Sequence, residues 1–195
     1  MNILPESFYI RKNVTQIARQ LLGKKLVTNT LTQRTSGIIV ETEAYSFRER
    51  GCHAYDNRMT HRNKSMFEKG GVAYVYLCYG IHHLFNVVTN QPGMADAVLI
   101  RALEPMEGLE WMKARTKTNS IKRITSGPGK LTKALGIDRT FNGKDLNSSE
   151  VWIEEGIKLL PRQILASERI GIDYAGEDAL LPWRFSIKDN IWVSK

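Results

Sequence analysis

Two carboxylates stand two residues apart in "GIIVETEAYS", residues 37–46, and the chemistry open to such a pair is acid–base work on water. In an extended chain successive side chains point to opposite faces. Glu41 and Glu43 then share a face with Ile39 and Tyr45, while Ile38, Val40, Thr42 and Ala44 form an ordinary core face. Strands disfavour glutamate, and like charges at this spacing repel. Two readings compete. One carboxylate could simply be bridged to an arginine such as Arg101. Alternatively the pair divides its labour, one glutamate being fixed by hydrogen bonds while the other faces a pocket lined by Tyr45 and acts on water.

Other candidate chemistries fail on residue type or spacing. "SGPGKLT" lacks the P-loop pattern, because Ile124 stands where the first glycine belongs and Leu131 follows Lys130. Backbone amides at that helix start could still hold a DNA phosphate. His53, His61, His82 and His83 are scattered, and Cys52 and Cys78 have neither a CxxC nor a histidine spacing, so no metal centre and no disulfide framework is expected. Tyr74 and Tyr76 fall on one strand face with Cys78, as packed residues would. Tyr79 sits beside Gly80 at a hairpin tip, where a large ring could wedge between bases.

The elements that must position these residues belong to a mixed α+β chain. Asn13 or Thr15 could cap a helix with Val14, Ile17, Ala18, Leu21 and Leu22 inward and Gly23 as its stop. "KKLVTN", "TSGIIVETEAY" and "ADAVLIRALEP" read as strands, "VAYVYLCYGIHHLFNVVTN" as a hairpin, and "MEGLEWMKAR" as an amphipathic helix. A further helix has Ser126 near its cap, Pro128 in its first turn and Gly136 as its stop. Residues 46–71 show no period, and a segment of that length inside a domain is usually functional. "VWIEEG", "ILASERIGI" and "WRFSIKDNIWVS" read as short strands with turns.

The 195 residues carry a net charge of +8 and 42% hydrophobic content, enough for one domain spanning 1–195 with a basic surface suited to phosphates. No long apolar run and no signal-peptide pattern is present. A soluble, cytoplasmic protein with no membrane partner is expected.

Five strings follow one another in order: "VETEAY", then "TxRNxxMF" (Thr60, Arg62, Asn63, Met66, Phe67), "YVYxxYG" (74–80), "LIRALEPxEG" (99–108) and "SGPGKL" (126–131). Together they resemble the alkyladenine (3-methyladenine) DNA glycosylase family, over residues 18–193. The resemblance implies a single mixed α/β domain with a curved, largely antiparallel sheet, flanking helices and a protruding DNA-inserting hairpin. It implies a monomer that needs no metal or cofactor, with double-stranded DNA containing damaged purines as its partner.

Residue by residue, the resemblance makes Glu43 the general base and Glu41 its structural partner, with Arg101 and the Ile170 carbonyl helping to hold the attacking water. Tyr45 and Tyr76 would sandwich the flipped base, with cation–π character for a cationic alkylpurine. His53 would sit on the far edge of the base, and Asn86 would crowd a guanine 2-amino group. Tyr79 would intercalate, with Ile81 and His82 beside it where bulkier or aromatic residues are expected. Arg58, Arg62, Lys122, Arg123, Ser126 and Lys130 are the expected contacts to the DNA backbone. In having no long basic N-terminal extension, the sequence is more like the bacterial members.

The implied activity is hydrolysis of the N-glycosidic bond of 3-methyladenine and 7-methylguanine, with hypoxanthine and ethenoadenine as further candidates. No lysine or N-terminal proline suggests a Schiff base, so no strand cleavage is expected. The alternative is a non-catalytic nucleic-acid-binding protein, and the carboxylate pair counts against it.

Overall fold

Residues 2–30, 32–118 and 120–194 are described by the computed structural model, and their framework is an eight-stranded antiparallel sheet. The strands are β1 (Lys25–Thr30), β2 (Gln33–Tyr45), β3 (Ala73–Cys78), β4 (His82–Thr89), β5 (Asp96–Glu107), β6 (Val151–Glu154), β7 (Ile164–Ser167) and β8 (Arg184–Ile187). Their order is β3-β4-β5-β2-β1-β6, with β8 joined to β2 and β7 to β8. The expected mixed fold with a largely antiparallel sheet is the observed one.

β2 is the axis of the sheet. One edge pairs with β5 from Ser36↔Glu107 to Tyr45↔Ala97. The other edge is shared in turn by β1, over residues 33–38, and β8, over 41–43. The register slips at Ser36/Gly37, Ile39/Glu41 and Glu41/Thr42. Such bulges bend a strand and re-aim its side chains, and here two of them flank Glu41.

β2 is buried on both faces from Thr35 to Ala44, so the face with Glu41 and Glu43 is as closed as the opposite one. Helix α2 (Val14–Leu21) covers the Thr42 side, where Thr42 Oγ1 donates to the Ala18 carbonyl at 3.0 Å. Asn13 is its cap, the side chain accepting from the Gln16 amide at 2.9 Å. Val14, Ile17, Ala18, Leu21 and Leu22 are all buried, as their helical spacing requires. Gly23 then turns the chain with φ +81°, and a Cβ there would lie 2.5 Å from the Ile157 carbonyl oxygen.

Three other elements complete the frame. α1 (Glu6–Tyr9) packs Tyr9 into the core. α3 (Leu109–Thr116) buries only Met112 and leaves Trp111 44% exposed, so the expected amphipathic helix is in fact a rim helix with no continuous apolar stripe. α4 (Pro128–Leu135) has Gly127, not Ser126, at its cap position, Pro128 as its first residue and Gly136 as a left-handed stop. Its Thr132 hydroxyl donates to the His83 carbonyl at 2.7 Å, which braces β4 on the helix.

The aperiodic segment 46–71 forms turns and 3₁₀ segments at Tyr55–Asn57 and Lys64–Phe67. Buried Asn63 organises it: the side chain accepts from the Thr60 amide at 2.7 Å and donates to the His53 and Arg58 carbonyls at 2.9 and 3.0 Å. At the other end of the chain, "NIWVS" is not a strand. It turns inward and carries Ser194 to Glu41. No helix among the described residues is long and apolar enough to cross a membrane.

Candidate active site

Glu41 and Glu43 are both fully buried, and their surroundings differ. Glu41 Oε1 accepts from Arg101 Nε (3.2 Å), Arg184 Nε (2.6 Å) and Ser194 Oγ (2.9 Å), while Oε2 accepts from the Ser194 amide (2.7 Å). A carboxylate offers about four lone-pair positions, and the four donors on Glu41 match that total, three crowding Oε1 and one on Oε2. Glu43 Oε1 accepts from the Ile170 amide at 2.8 Å and lies 3.3 Å from Arg101 Nη1. Its Oε2 accepts a single bond, from the Tyr45 hydroxyl at 2.8 Å. One acceptor position on Oε2 remains for a further donor.

Arg101 therefore touches both glutamates. Burial works against its charge, but Glu43 and Glu41 more than offset that and raise its pKa. The Tyr45 phenol is likewise held above its ordinary pKa by burial, by the charge of Glu43 and by the hydrogen bond to it, so it stays a donor.

A second buried ion pair, which the sequence reading did not anticipate, braces this group. Arg169 and Glu49 meet in a bidentate contact, Nη1–Oε1 at 2.7 Å and Nη2–Oε2 at 2.8 Å. Arg169 also donates to the Ala44 and Asp178 carbonyls at 3.0 and 2.9 Å, and its guanidinium lies 4.8 Å from the Tyr45 ring centroid. Two stretches are thereby joined: the end of β2, which carries Tyr45, and the loop that aims the Ile170 amide at Glu43. Arg184 and Ser194, the other ligands of Glu41, were equally unmarked. The one available signal was the position of Arg169 next to Ile170 in "ERIGI".

In front of these residues opens a cavity of about 910 Å³. Tyr45, Arg101 and Ile170 line it, as do His53, Tyr76, Asn86, Tyr79 and His82 from the expected set. The Glu43 carboxylate lies one layer behind this wall, since its three partners line the cavity and it does not. Tyr74 is buried and stacks on half-buried Tyr76, with centroids 5.4 Å apart. His53 stands at the cavity mouth, edge-on to Tyr76 at 4.6 Å, its Nδ1 3.0 Å from the Tyr74 hydroxyl. Crowding by these rings, then the nearby Arg62 charge, lowers its pKa to about 4. The ring is open to solvent on one side, which tempers the size of that shift but leaves the imidazole neutral at pH 7. Asn86 is buried on β4 and donates to the Tyr74 carbonyl at 3.1 Å.

The hairpin closes through Cys78–Tyr79–Gly80–Ile81, with the Ile81 amide donating to the Cys78 carbonyl at 3.0 Å. Tyr79 and Gly80 have φ of +49° and +71°, the signature of a type I′ turn. Tyr79 is 89% exposed and Ile81 72%. His82 lies over α4, where a Cβ on Gly129 would fall 2.7 Å from its Cγ. Ser126 and Lys130 line the cavity mouth, whereas Arg58, Lys122 and Arg123 are exposed elsewhere on the surface. Arg62, expected on the DNA backbone, lies over the Tyr76 ring at 5.3 Å. Among the described residues, no group of three or more His, Cys, Asp or Glu is placed to hold a metal ion.

The chain is similar to known proteins over nearly its whole length. A family model described as methylpurine-DNA glycosylase matches residues 7–191. A protein of Methanocella arvoryzae named putative 3-methyladenine DNA glycosylase is 48% identical over 198 residues, covering 100% of this chain and 97% of its own. A Chlamydia abortus protein of the same name is 47% identical over 186 residues, covering 94% and 97%. A third, from Carboxydothermus hydrogenoformans, is 45% identical and covers 99% of both chains. With this match joined to the buried glutamate pair and the tyrosine-lined cavity, the chain belongs to the methylpurine-DNA glycosylase family, hydrolases of N-glycosyl bonds in DNA.

Proposed function

We propose that this protein removes damaged purines from double-stranded DNA by flipping them into the tyrosine-lined cavity and hydrolysing the N-glycosidic bond with a water activated by Glu43. The observation that carries the reading is the contrast between the two glutamates. Glu41 accepts from four donors, whereas Glu43 keeps an acceptor position on Oε2 beside residues that line the cavity.

A base inside a duplex is out of reach of such a site, and rotating it out costs a few kcal/mol. Exposed cationic side chains, among them Arg58, Lys122, Arg123 and Lys130, supply affinity for phosphates. The extruded purine stacks between Tyr45 and Tyr76, with neutral His53 on its edge and Asn86 on the floor. The water oxygen then bonds to the sugar C1′ as the C1′–N bond breaks. The bonding pair leaves with the purine, and the water proton passes to Glu43. A cationic alkylpurine departs neutral. A neutral purine departs with the extra electron pair and takes up a proton from a donor. The Glu43 charge also stabilises an oxocarbenium-like transition state.

The direct test is incubation with duplexes containing 7-methylguanine or hypoxanthine, followed by hot alkali. Strand breakage only after alkali is expected. Breakage without alkali would mean lyase chemistry, and intact DNA with both lesions would mean a binding protein.

The hairpin tip supplies an independent test. Tyr79→Ser should leave the melting temperature unchanged, because an 89% exposed ring buries almost nothing in the free protein. Excision from a stable base pair should fall roughly tenfold, and clearly less from a mismatch or single strand, where unstacking is already partly done. A large drop in melting temperature, or the same loss in every context, would show that Tyr79 does not act as a wedge.

A further inference from the structure

Three permanently cationic side chains line the cavity: Arg62, Arg101 and Lys130. Arg101 is neutralised by its contacts with Glu41 and Glu43. Arg169, behind Tyr45, is neutralised by Glu49. Lys130, exposed on α4, likewise forms no ion pair among the described residues, but it lies over no aromatic ring there. Arg62 is different. Its guanidinium lies 5.3 Å from the Tyr76 ring centroid and donates to the Leu77 carbonyl at 3.5 Å, and it forms an ion pair with no carboxylate among the described residues.

We propose that Arg62 is a specificity-determining residue that biases the cavity away from cationic alkylpurines and toward neutral damaged purines, such as deaminated or etheno bases. The inference rests on the glycosylase reading above and on the stacking of the base against Tyr76.

The physics has one sign throughout. A guanidinium over the Tyr76 ring offsets the negative ring potential that would attract a cationic base. A base stacked on that ring lies on the order of 10 Å or less from the guanidinium, where an unpaired charge still acts even with solvent screening. A cationic purine carries positive charge into the site and loses it only as the bond breaks, so Arg62 opposes its capture. A neutral purine gains negative charge as the C1′–N bond breaks, so Arg62 stabilises its departure. The field also reaches the neighbouring wall residues: after burial, Arg62 is the next cause that lowers the pKa of His53.

The test is kcat/KM for 7-methylguanine and for hypoxanthine in one duplex sequence, with Arg62→Gln, Arg62→Lys and Lys130→Gln beside the unaltered protein. A ratio cancels any loss of general DNA affinity. Arg62→Gln should raise the 7-methylguanine to hypoxanthine ratio about three- to tenfold. Arg62→Lys, which keeps the charge, should return the ratio toward its original value, and Lys130→Gln, which removes a cation not placed over Tyr76, should move the ratio less than Arg62→Gln does. Melting temperatures should not move, since Arg62 is exposed.

If the unaltered protein excises both lesions and Arg62→Gln leaves their ratio unchanged, the proposal falls while the glycosylase reading stands. A ratio that rises equally in Arg62→Lys would likewise overturn it, because shape rather than charge would then be responsible. If the unaltered protein excises neither lesion, the glycosylase reading falls and takes the proposal with it.

Discussion

Glu43→Gln should abolish most excision, by ~10²–10⁴-fold in single-turnover rate, while leaving lesion binding and the melting temperature near their original values. The substitution suits its surroundings unusually well. The amide oxygen can keep the place of Oε1 and go on accepting from the Ile170 amide, and the new NH₂ can donate to the Tyr45 hydroxyl oxygen, which accepts as readily as it donates. Arg101 retains Glu41 as a charge partner. Geometry therefore survives and basicity does not. Single-turnover excision beside a binding isotherm on the same lesion duplex separates the two, and near-normal excision would remove Glu43 from the role of base.

Glu41→Gln should have the opposite profile. Three donors converge on Oε1 and the Ser194 amide points at Oε2. An NH₂ group in either position meets a donor, half-buried Arg184 loses its counter-charge and buried Arg101 keeps only Glu43. Breaking a buried pair in this way costs about 3–5 kcal/mol, which in a chain of this size lowers the melting temperature by roughly 6–20 °C. Activity should decline with the folded fraction. A fully stable Glu41→Gln that is catalytically dead would reverse the assignment of the two carboxylates. Thermal unfolding of both variants on one instrument is sufficient to decide.

The reach of the sequence follows from the distance over which its signals act. α2 was legible because a cap and an apolar spacing lie within ten residues of one another, and the hairpin tip because a tyrosine–glycine pair separates two apolar runs. Ser126 was read near the α4 cap, and Gly127 beside it takes the cap position itself. Alternation sorted the β2 side chains into two faces, but it could not show that the glutamate face is closed over by Arg101, Arg184 and Ser194. Those residues come from 60, 143 and 153 positions away. The Glu49–Arg169 brace spans 120 positions and has no spacing that could betray it. Resemblance named the residues at the site. It did not name the salt bridges that hold them, nor did it anticipate Arg62 lying on Tyr76.

The hydrogen bonds between Glu41 and Ser194 have a consequence for how the protein is made. Synthesis runs from residue 41 toward residue 194, and at about 5–20 residues per second the 153 intervening positions take roughly 8–30 s to emerge. Until its end the central strand carries two carboxylates that lack their full set of partners, since Ile170, Arg184 and Ser194 emerge last and in that order. It cannot settle into a dry sheet interior, because an unpaired buried charge is too costly. The nascent chain is thus kept from docking its central strand before those partners have been made. Closure of the sheet over its central strand thus waits on residues made long after that strand.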